Sequence, residues 1–440
     1  MTFAFRRMQA FSESAALACL VLVFLSFPVA MALGYVAMAL VLLFGLFSGR
    51  IWQRWRTVRR APVVWAALGL YALMLVGTLY TPASHDDVVL HLSKYSKLLW
   101  VPVGMALLSD QAWRRRCMNA FALAMLFILV SVYANIFWDL PWSSTHNQGW
   151  GQNHTVIGDY ITQNVMMTFF VVLAMDRGLR AGAAVWQRGA WWLAAALGAL
   201  SITHLSSGRT GYLLLLMALL AFFILATQGW KRWAALGLLG LGLLVVGATS
   251  VEVQQRVQLA VTEARNSDSM EITSIGGRIN FWKNTWALVA QKPLTGWGTG
   301  SYHDAWCAQV TAEGWCAFGR WHPHNQYLFL WMENGLPGLL LFLALIGAPV
   351  WAARHAQPHQ RRLLLSFAVI FAVNSLINAS LWSSRESHFF VLLLILLCAD
   401  ALYTRRAAPL PAAPQPATPQ PAAPQPAAPD PLGVAAQSLR

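Results

Sequence analysis

Residues 210–250 read TGYLLLLMALLAFFILATQGWKRWAALGLLGLGLLVVGATS, two long apolar runs joined by a short turn that carries Lys231 and Arg232. Each run has about the length that a helix needs to cross a bilayer, roughly 20 residues. A backbone in hydrocarbon must satisfy its own N–H and C=O groups, so runs of this kind are read as transmembrane helices. The pattern recurs along the chain, and about twelve spans are predicted. They lie near 13–29, 32–48, 62–80, 97–109, 118–138, 157–175, 189–205, 210–228, 232–250, 326–351, 363–381 and 387–403. The first run lacks a small-residue cleavage site and is soon followed by the second, so it is expected to be a retained helix.

Composition agrees. Of 440 residues, 57% are hydrophobic and 11% charged, with a mean hydropathy of +0.50. Soluble domains carry about 25% charged residues. The net charge of +14 would suggest nucleic acid in a soluble protein. Here the cations sit in short loops between apolar runs: Arg50 to Arg60, Arg114 to Arg116, Arg177 to Arg188, Lys231 and Arg232, Arg354 to Arg362. With all spans present these loops share one side with Arg6, Arg7, Arg405 and Arg406, which predicts cytoplasmic termini. The 22 tryptophans crowd the span ends, as an aromatic belt does.

The opposite side collects Thr81–Ser96, with Asp86 and Asp87, then Asp139–Asp159, then the hydrophilic segment 251–325. That segment reads as a helix over 251–264, a second amphipathic helix over 278–291, and a turn, Gly296-Trp-Gly298-Thr-Gly300, that lets backbone approach a ligand. Cys307 and Cys316 share its last part, and a disulfide is expected if it faces an oxidising compartment. No C-x-x-C is present to suggest zinc.

Several side chains on this side can carry chemistry. Arg278 opens the predicted second helix, where a cation opposes the helix dipole; it is either a solvated loop arginine or half of an anion site. Arg209, in Ser206-Ser207-Gly208-Arg209, is a snorkelling arginine or a functional one. Arg320 and Arg385 stand near further span ends. Several such guanidiniums can converge on a diphosphate. His322 and His324 flank a proline and suit general-base work near neutral pH, or simple capping. His-x-His also suggests metal, but no third ligand is spaced for it. Glu333, within a span, is expected to pair structurally, beside glycines and Pro337 that mark a kink. Lys97, Glu386 and His388 are weaker candidates.

His324-Asn325, nine residues, Gly335, two residues, Gly338 resembles the signature of the O-antigen ligase and polymerase superfamily. Arg278 with Trp282, Pro293 before the glycine turn and Tyr302, and Ser207-Gly208-Arg209 are similar to that family too, although Gly208 departs from the commoner Ser-Arg pair. The specific part of the resemblance is 206–212 and 276–338; in topology it covers most of the chain. It implies a metal-independent glycosyltransferase of the polytopic C-type architecture, without cofactor or nucleotide-sugar, in a bacterial inner membrane. The donor would be O-antigen on undecaprenyl diphosphate, and the acceptor a sugar hydroxyl of lipid A–core. His324, Arg209 and Arg278 would be catalytic; Lys97, His322, Arg320, Arg385, Glu386, Gly298 and Tyr302 would bind substrate. The organisation expected is nine helices over 1–250, a periplasmic helical loop over 251–325, three helices over 326–405, and a disordered Pro/Ala-rich cytoplasmic tail over 406–440. The rivals are an O-antigen polymerase, a protein O-oligosaccharyltransferase and a transporter or flippase. Against the last, no internal repeat is evident.

Overall fold

A computed structural model describes residues 2–265, 274–311 and 314–407. The expected tail lies outside these residues from 408 onward. Met1–Arg405 form one compact unit. Its elements are all helical among the described residues: α1 (Thr2–Ser26), α2 (Met31–Phe47), α3 (Arg50–Val58), α4 (Pro62–Gly77), α5 (His85–Tyr95), a 3-10 turn (Ser96–Leu99), α6 (Trp100–Leu107), α7 (Gln111–Ala134), α8 (Tyr160–Gly178), α9 (Val185–His204), α10 (Arg209–Ala226) and α11 (Trp230–Thr249). There follow α12 (Val251–Arg265), α13 (Ser274–Gln291), α14 (Tyr302–Gln309), α15 (Trp315–Gly319), α16 (Gln326–Ala353), α17 (Pro358–Ile377) and α18 (Ser384–Ala407). Short polar side chains start several of them. Asp110 accepts from the N–H of Ala112, Asp159 from that of Thr162, and Asn325 from that of Leu328, at 2.6, 2.9 and 3.0 Å.

The predicted spans are met in part. Each expected run is helical, but seven helices among the described residues are long and apolar enough to cross a membrane, and α2 with α3, bent by 92°, would make an eighth. The expected fourth span breaks into the 3-10 turn and the eight-residue α6. α4 has 16 residues. α8 and α9 reach 19 and 20 residues but carry polar positions such as Gln163, Asn164, Gln187 and Arg188. The physical reason is enclosure. Every residue of α8 from Thr162 to Gly178 is buried, so its environment is protein and its hydropathy is not set by lipid.

α11 is the opposite case. None of its residues is buried, and Leu238, Leu241 and Leu244 are 66%, 57% and 73% exposed. A face this apolar and open belongs in contact with acyl chains. The protein is a multi-pass α-helical membrane protein. Its core is aromatic: Phe121, Phe169, Phe367, Phe371, Phe389 and Phe390 join α7, α8, α17 and α18, with the Phe371 and Phe390 rings stacked at 4.5 Å.

The two ends of the bundle differ chemically. At the end where α16 finishes and α17 begins, ion pairs tie helices together: Arg114 to Asp400 at 2.8 Å and Arg362 to Asp176 at 2.6 Å. Arg50 and Arg54 together hold Glu13, at 2.8 and 2.7 Å. The end where α16 begins holds the histidines.

The glycine turn after α13 is closed by the protein's own backbone. The N–H groups of Trp297 and Gly298 donate to the carbonyls of Met332 and Glu333 at 2.9 and 2.8 Å, and Thr299 Oγ1 donates to the Met74 carbonyl at 2.7 Å. Gly298 has φ +96°, and a Cβ there would lie 2.6 Å from Thr81 Cα. The close approach expected at a ligand is therefore made to α4 and α16. Gly335 breaks α16 in return, with φ 64° and ψ −168°. The kink expected near Pro337 is thus made by the glycine that precedes it.

Candidate active site

α13 begins at Ser274, so Arg278 lies a full turn inside the helix, and the expected clash with its first-turn dipole does not arise. Arg278 is half-buried, and one turn on, Phe281 is buried. The Phe281 ring stacks on His324 at 5.6 Å with 12° between planes. His324 itself has φ +50°, the one positive φ outside glycine among the described residues. That left-handed backbone costs about 1–2 kcal/mol for most side chains. It turns the imidazole of His324 back beside His322, ring centres 4.4 Å apart. The N–H of His324 donates to His322 Nδ1 at 3.3 Å, so His322 is an acceptor at that nitrogen.

Both imidazoles are held neutral. Burial first, and Arg278 second, push His324 down to about 4. His322 is pushed well below the ordinary histidine value by burial, then by His324, Lys94 and Arg278. A neutral ring keeps a lone pair that can take a proton, while burial and the cations Lys94 and Arg278 disfavour its charged form.

Behind the histidines stands a scaffold that sequence alone did not point to. The Trp382 ring is 6.3 Å from His322 and 4.5 Å from His91. His91 Nδ1 meets Glu333 Oε1 at 3.0 Å, both side chains almost fully buried. Glu333 therefore pairs structurally, as expected of an intramembrane carboxylate. Lys94 Nζ lies 5.5 Å from the Trp382 ring and donates to Ser384 Oγ at 3.3 Å. His91 and Lys94 stand three residues apart on α5, which is the one signal that could have exposed them: adjacent positions on a helical face.

The other candidates fall into three groups. At the head of α18, Lys97 Nζ donates to Ser387 Oγ at 2.5 Å, and Glu386 accepts from Asn374 Nδ2 at 3.1 Å. Arg385 there leaves Nε and Nη1 buried with no hydrogen-bond partner, against Gly158, whose Cβ would lie 2.6 Å from Nη1. Lys94, through Ser384, joins this group to the histidines. Arg209 heads α10 in a turn knitted to α8 and α12: Asn164 Nδ2 donates to Ser206 Oγ at 2.8 Å, and Ser207 Oγ to Glu252 Oε1 at 3.4 Å. The remaining three have these surroundings. Gly298 packs on backbone. Tyr302 is buried with its ring parallel to Trp306 at 6.1 Å, and Arg320 is exposed over Trp321 at 4.4 Å.

Cys307 and Cys316 form the expected disulfide. It braces α14 to α15, where Trp306 Nε1 donates to the Trp315 carbonyl at 3.0 Å and both indoles pack on Phe281. Replacing both cysteines by serine is expected to cost about 2–3 kcal/mol, from a loop of this length. A thermal melt of the purified protein with and without reductant reads the loss. Among the described residues, with Cys307 and Cys316 bonded to each other, one cluster is open to a metal: Asp87, His303 and Asp304 bring ligand atoms within 4.8 Å of one another on the exposed flank.

Residues 193–343 match the family model described as O-Antigen ligase. An uncharacterized protein of Haemophilus influenzae (strain ATCC 51907 / DSM 11121 / KW20 / Rd) is 30% identical over 83 residues, 18% of this chain and 20% of the relative. The match thus spans about a fifth of that protein's length. The family match contains Arg209, Arg278, His322 and His324 together with the kinked first half of α16, so the part of the chain that carries the candidate site is similar to the O-antigen ligase family.

Proposed function

We propose that the protein is an O-antigen ligase of the inner membrane, with both termini cytoplasmic and 251–325 as its periplasmic loop. It transfers O-antigen polysaccharide from undecaprenyl diphosphate to a sugar hydroxyl of lipid A–core. The carrying observation is His324: a neutral imidazole, fixed by an unusual backbone conformation and a stacked Phe281, beside Arg278.

In this reaction His324 takes the proton from the acceptor hydroxyl, and the oxygen attacks the anomeric carbon of the donor sugar. The bond from that carbon to the diphosphate oxygen breaks, its electron pair leaves with the diphosphate, and the configuration inverts. Arg278 and Arg209 stabilise the charge that grows on the leaving group. Undecaprenyl diphosphate is a good leaving group, so a strong general acid is not required. Burial lowers the basicity of His324 first and Arg278 second, and a diphosphate on Arg278 relieves only the second part.

The pH dependence follows with a definite sign. Acid protonates the base, so kcat/KM falls as pH drops. With His324 at about 4 in the free enzyme, the fall is centred near pH 4, and kcat/KM stays level through the ordinary histidine value of about 6.5. An acid limb centred near that ordinary value removes His324 as the base.

The function is tested with purified protein, carrier-linked O-antigen and rough lipopolysaccharide, without nucleotide and in chelator. A ladder of high-mass lipopolysaccharide is expected. Longer carrier-linked chains instead identify a polymerase, and activity that needs a divalent ion points to Asp87, His303 and Asp304.

A further inference from the structure

His322-Pro323-His324 stands where the chain turns into α16, and the proline ring fixes φ at the middle residue. Asn325 closes the turn on the other side, its side chain accepting from the Leu328 N–H at 3.0 Å as the cap of α16. Between them His324 is held at φ +50°. One hydrogen bond spans the motif: the His324 N–H donates to Nδ1 of His322 at 3.3 Å. Asparagine, aspartate and serine side chains make such turns with the N–H two residues on; here an imidazole nitrogen takes the place of the oxygen.

The bond decides the state of the His322 ring. Nδ1 accepts, so it carries no proton, and in a neutral imidazole the proton is then on Nε2. Burial, with His324, Lys94 and Arg278 around it, keeps the ring from taking a second one. His322 therefore has no free lone pair: one is engaged in the turn, and the other nitrogen is protonated. His324 is in the opposite condition. Its ring meets Phe281 at 5.6 Å and His322 at 4.4 Å, and neither of its ring nitrogens is hydrogen-bonded among the described residues. Either histidine suits base work by residue type, yet one hydrogen bond makes them chemically distinct.

We infer that His322 is a positioning residue, whose Nδ1 holds the His324 backbone in the left-handed turn that sets the imidazole of His324 in place. The inference rests on the reading of His324 as the base. The His322 ring is itself framed, by Trp382 at 6.3 Å and Phe329 at 6.5 Å, and Trp382 is framed by His91 at 4.5 Å. Glu333 fixes His91 in turn, at 3.0 Å. With the bond lost, His324 is free to relax toward negative φ and carry its ring away. A misplacement on the order of 1 Å costs up to about 10²-fold in rate. A direct contact of His322 with substrate would use Nε2 instead, and the two nitrogens can be tested apart.

The test compares His322→Asn with His322→Gln in the full-length protein in detergent. Asparagine puts its amide oxygen where Nδ1 stands and can still accept the His324 N–H. Glutamine puts its amide where Nε2 stands and offers the turn nothing. Turnover is read as release of carrier diphosphate from the carrier-linked donor, so that any acceptor counts. His322→Gln is expected to lower kcat by about tenfold or more with little change in KM, and His322→Asn to recover most of that loss. Recovery by glutamine but not by asparagine overturns the proposal in favour of a substrate contact at Nε2. Equal loss in both variants overturns it too, as does wild-type turnover in both. Nitrogen NMR of wild-type protein labelled with heavy-nitrogen histidine reads the ring without any turnover, the His322 signals being those absent from the variants. An unprotonated Nδ1 and a protonated Nε2 are expected. The reverse, or a doubly protonated ring at neutral pH, overturns the proposal whether or not the variants fold. A wild type that releases no carrier sinks the transferase reading instead, and the tautomer alone then decides whether His322 holds the turn.

Discussion

His324→Asn lowers the rate of glycan transfer by about 10²–10⁴-fold, the contribution of a positioned general base. Asparagine is the sharper choice than alanine here. His324 holds φ +50°, and asparagine is among the few side chains that accept this region. The substitution therefore removes the base without asking the turn before α16 to refold. Retained helix content, an unchanged melt and an intact Cys307–Cys316 bond establish that the protein is folded. A ligation assay at saturating donor then reads the chemical step. Transfer within about threefold of wild type would exclude His324 as the base.

Gly335→Ala is expected to prevent accumulation of folded protein. Its φ of 64° and ψ of −168° lie in a region open essentially to glycine alone. An added Cβ would lie 2.1 Å from the Leu294 carbonyl oxygen and 2.5 Å from its carbon, both backbone atoms that no rotamer change can move. The N–H of Leu336 donates to the Pro293 carbonyl at 2.9 Å beside it, so displacement of either strand of chain breaks this bond as well. Strain and overlap together cost about 3 kcal/mol or more. Gly347→Ala, later in the same helix, is the control: nothing lies within 4 Å of its added Cβ, so little change is expected. Size-exclusion profiles of the two variants in detergent compare them directly. A monodisperse, wild-type-like Gly335→Ala would mean that the turn and α16 do not depend on each other.

These two positions were legible to different degrees. His324 carries an imidazole next to a signature asparagine, and residue type and spacing were enough to single it out. Gly335 was visible as part of the same spacing, but its role was not. Its function is a meeting of two backbones, at 293–298 and 332–336, and separation along the chain hides such meetings. The same applies to Gly298, read as a place for a ligand and found against Thr81. The dipole argument offered for Arg278 fails, since α13 starts four residues earlier than its glycines suggested, and only the resemblance singled this arginine out. Lys94, His91 and Trp382 went unseen because nothing about a lone lysine, histidine or tryptophan near a span end separates it from an interfacial anchor.

Hydrophobic run length by itself determined that this chain is helical and lives in a membrane, because a bilayer acts on each segment separately and leaves a local mark on composition. It could not determine how many helices face lipid. Enclosure of α8 by its neighbours, or the full exposure of α11, is a property of packing, and the same residues satisfy either setting. The charge and basicity of the site were likewise decided only in three dimensions. Burial and a guanidinium one helix away set the state of His324, and neither burial nor that neighbour is written within its own stretch of sequence.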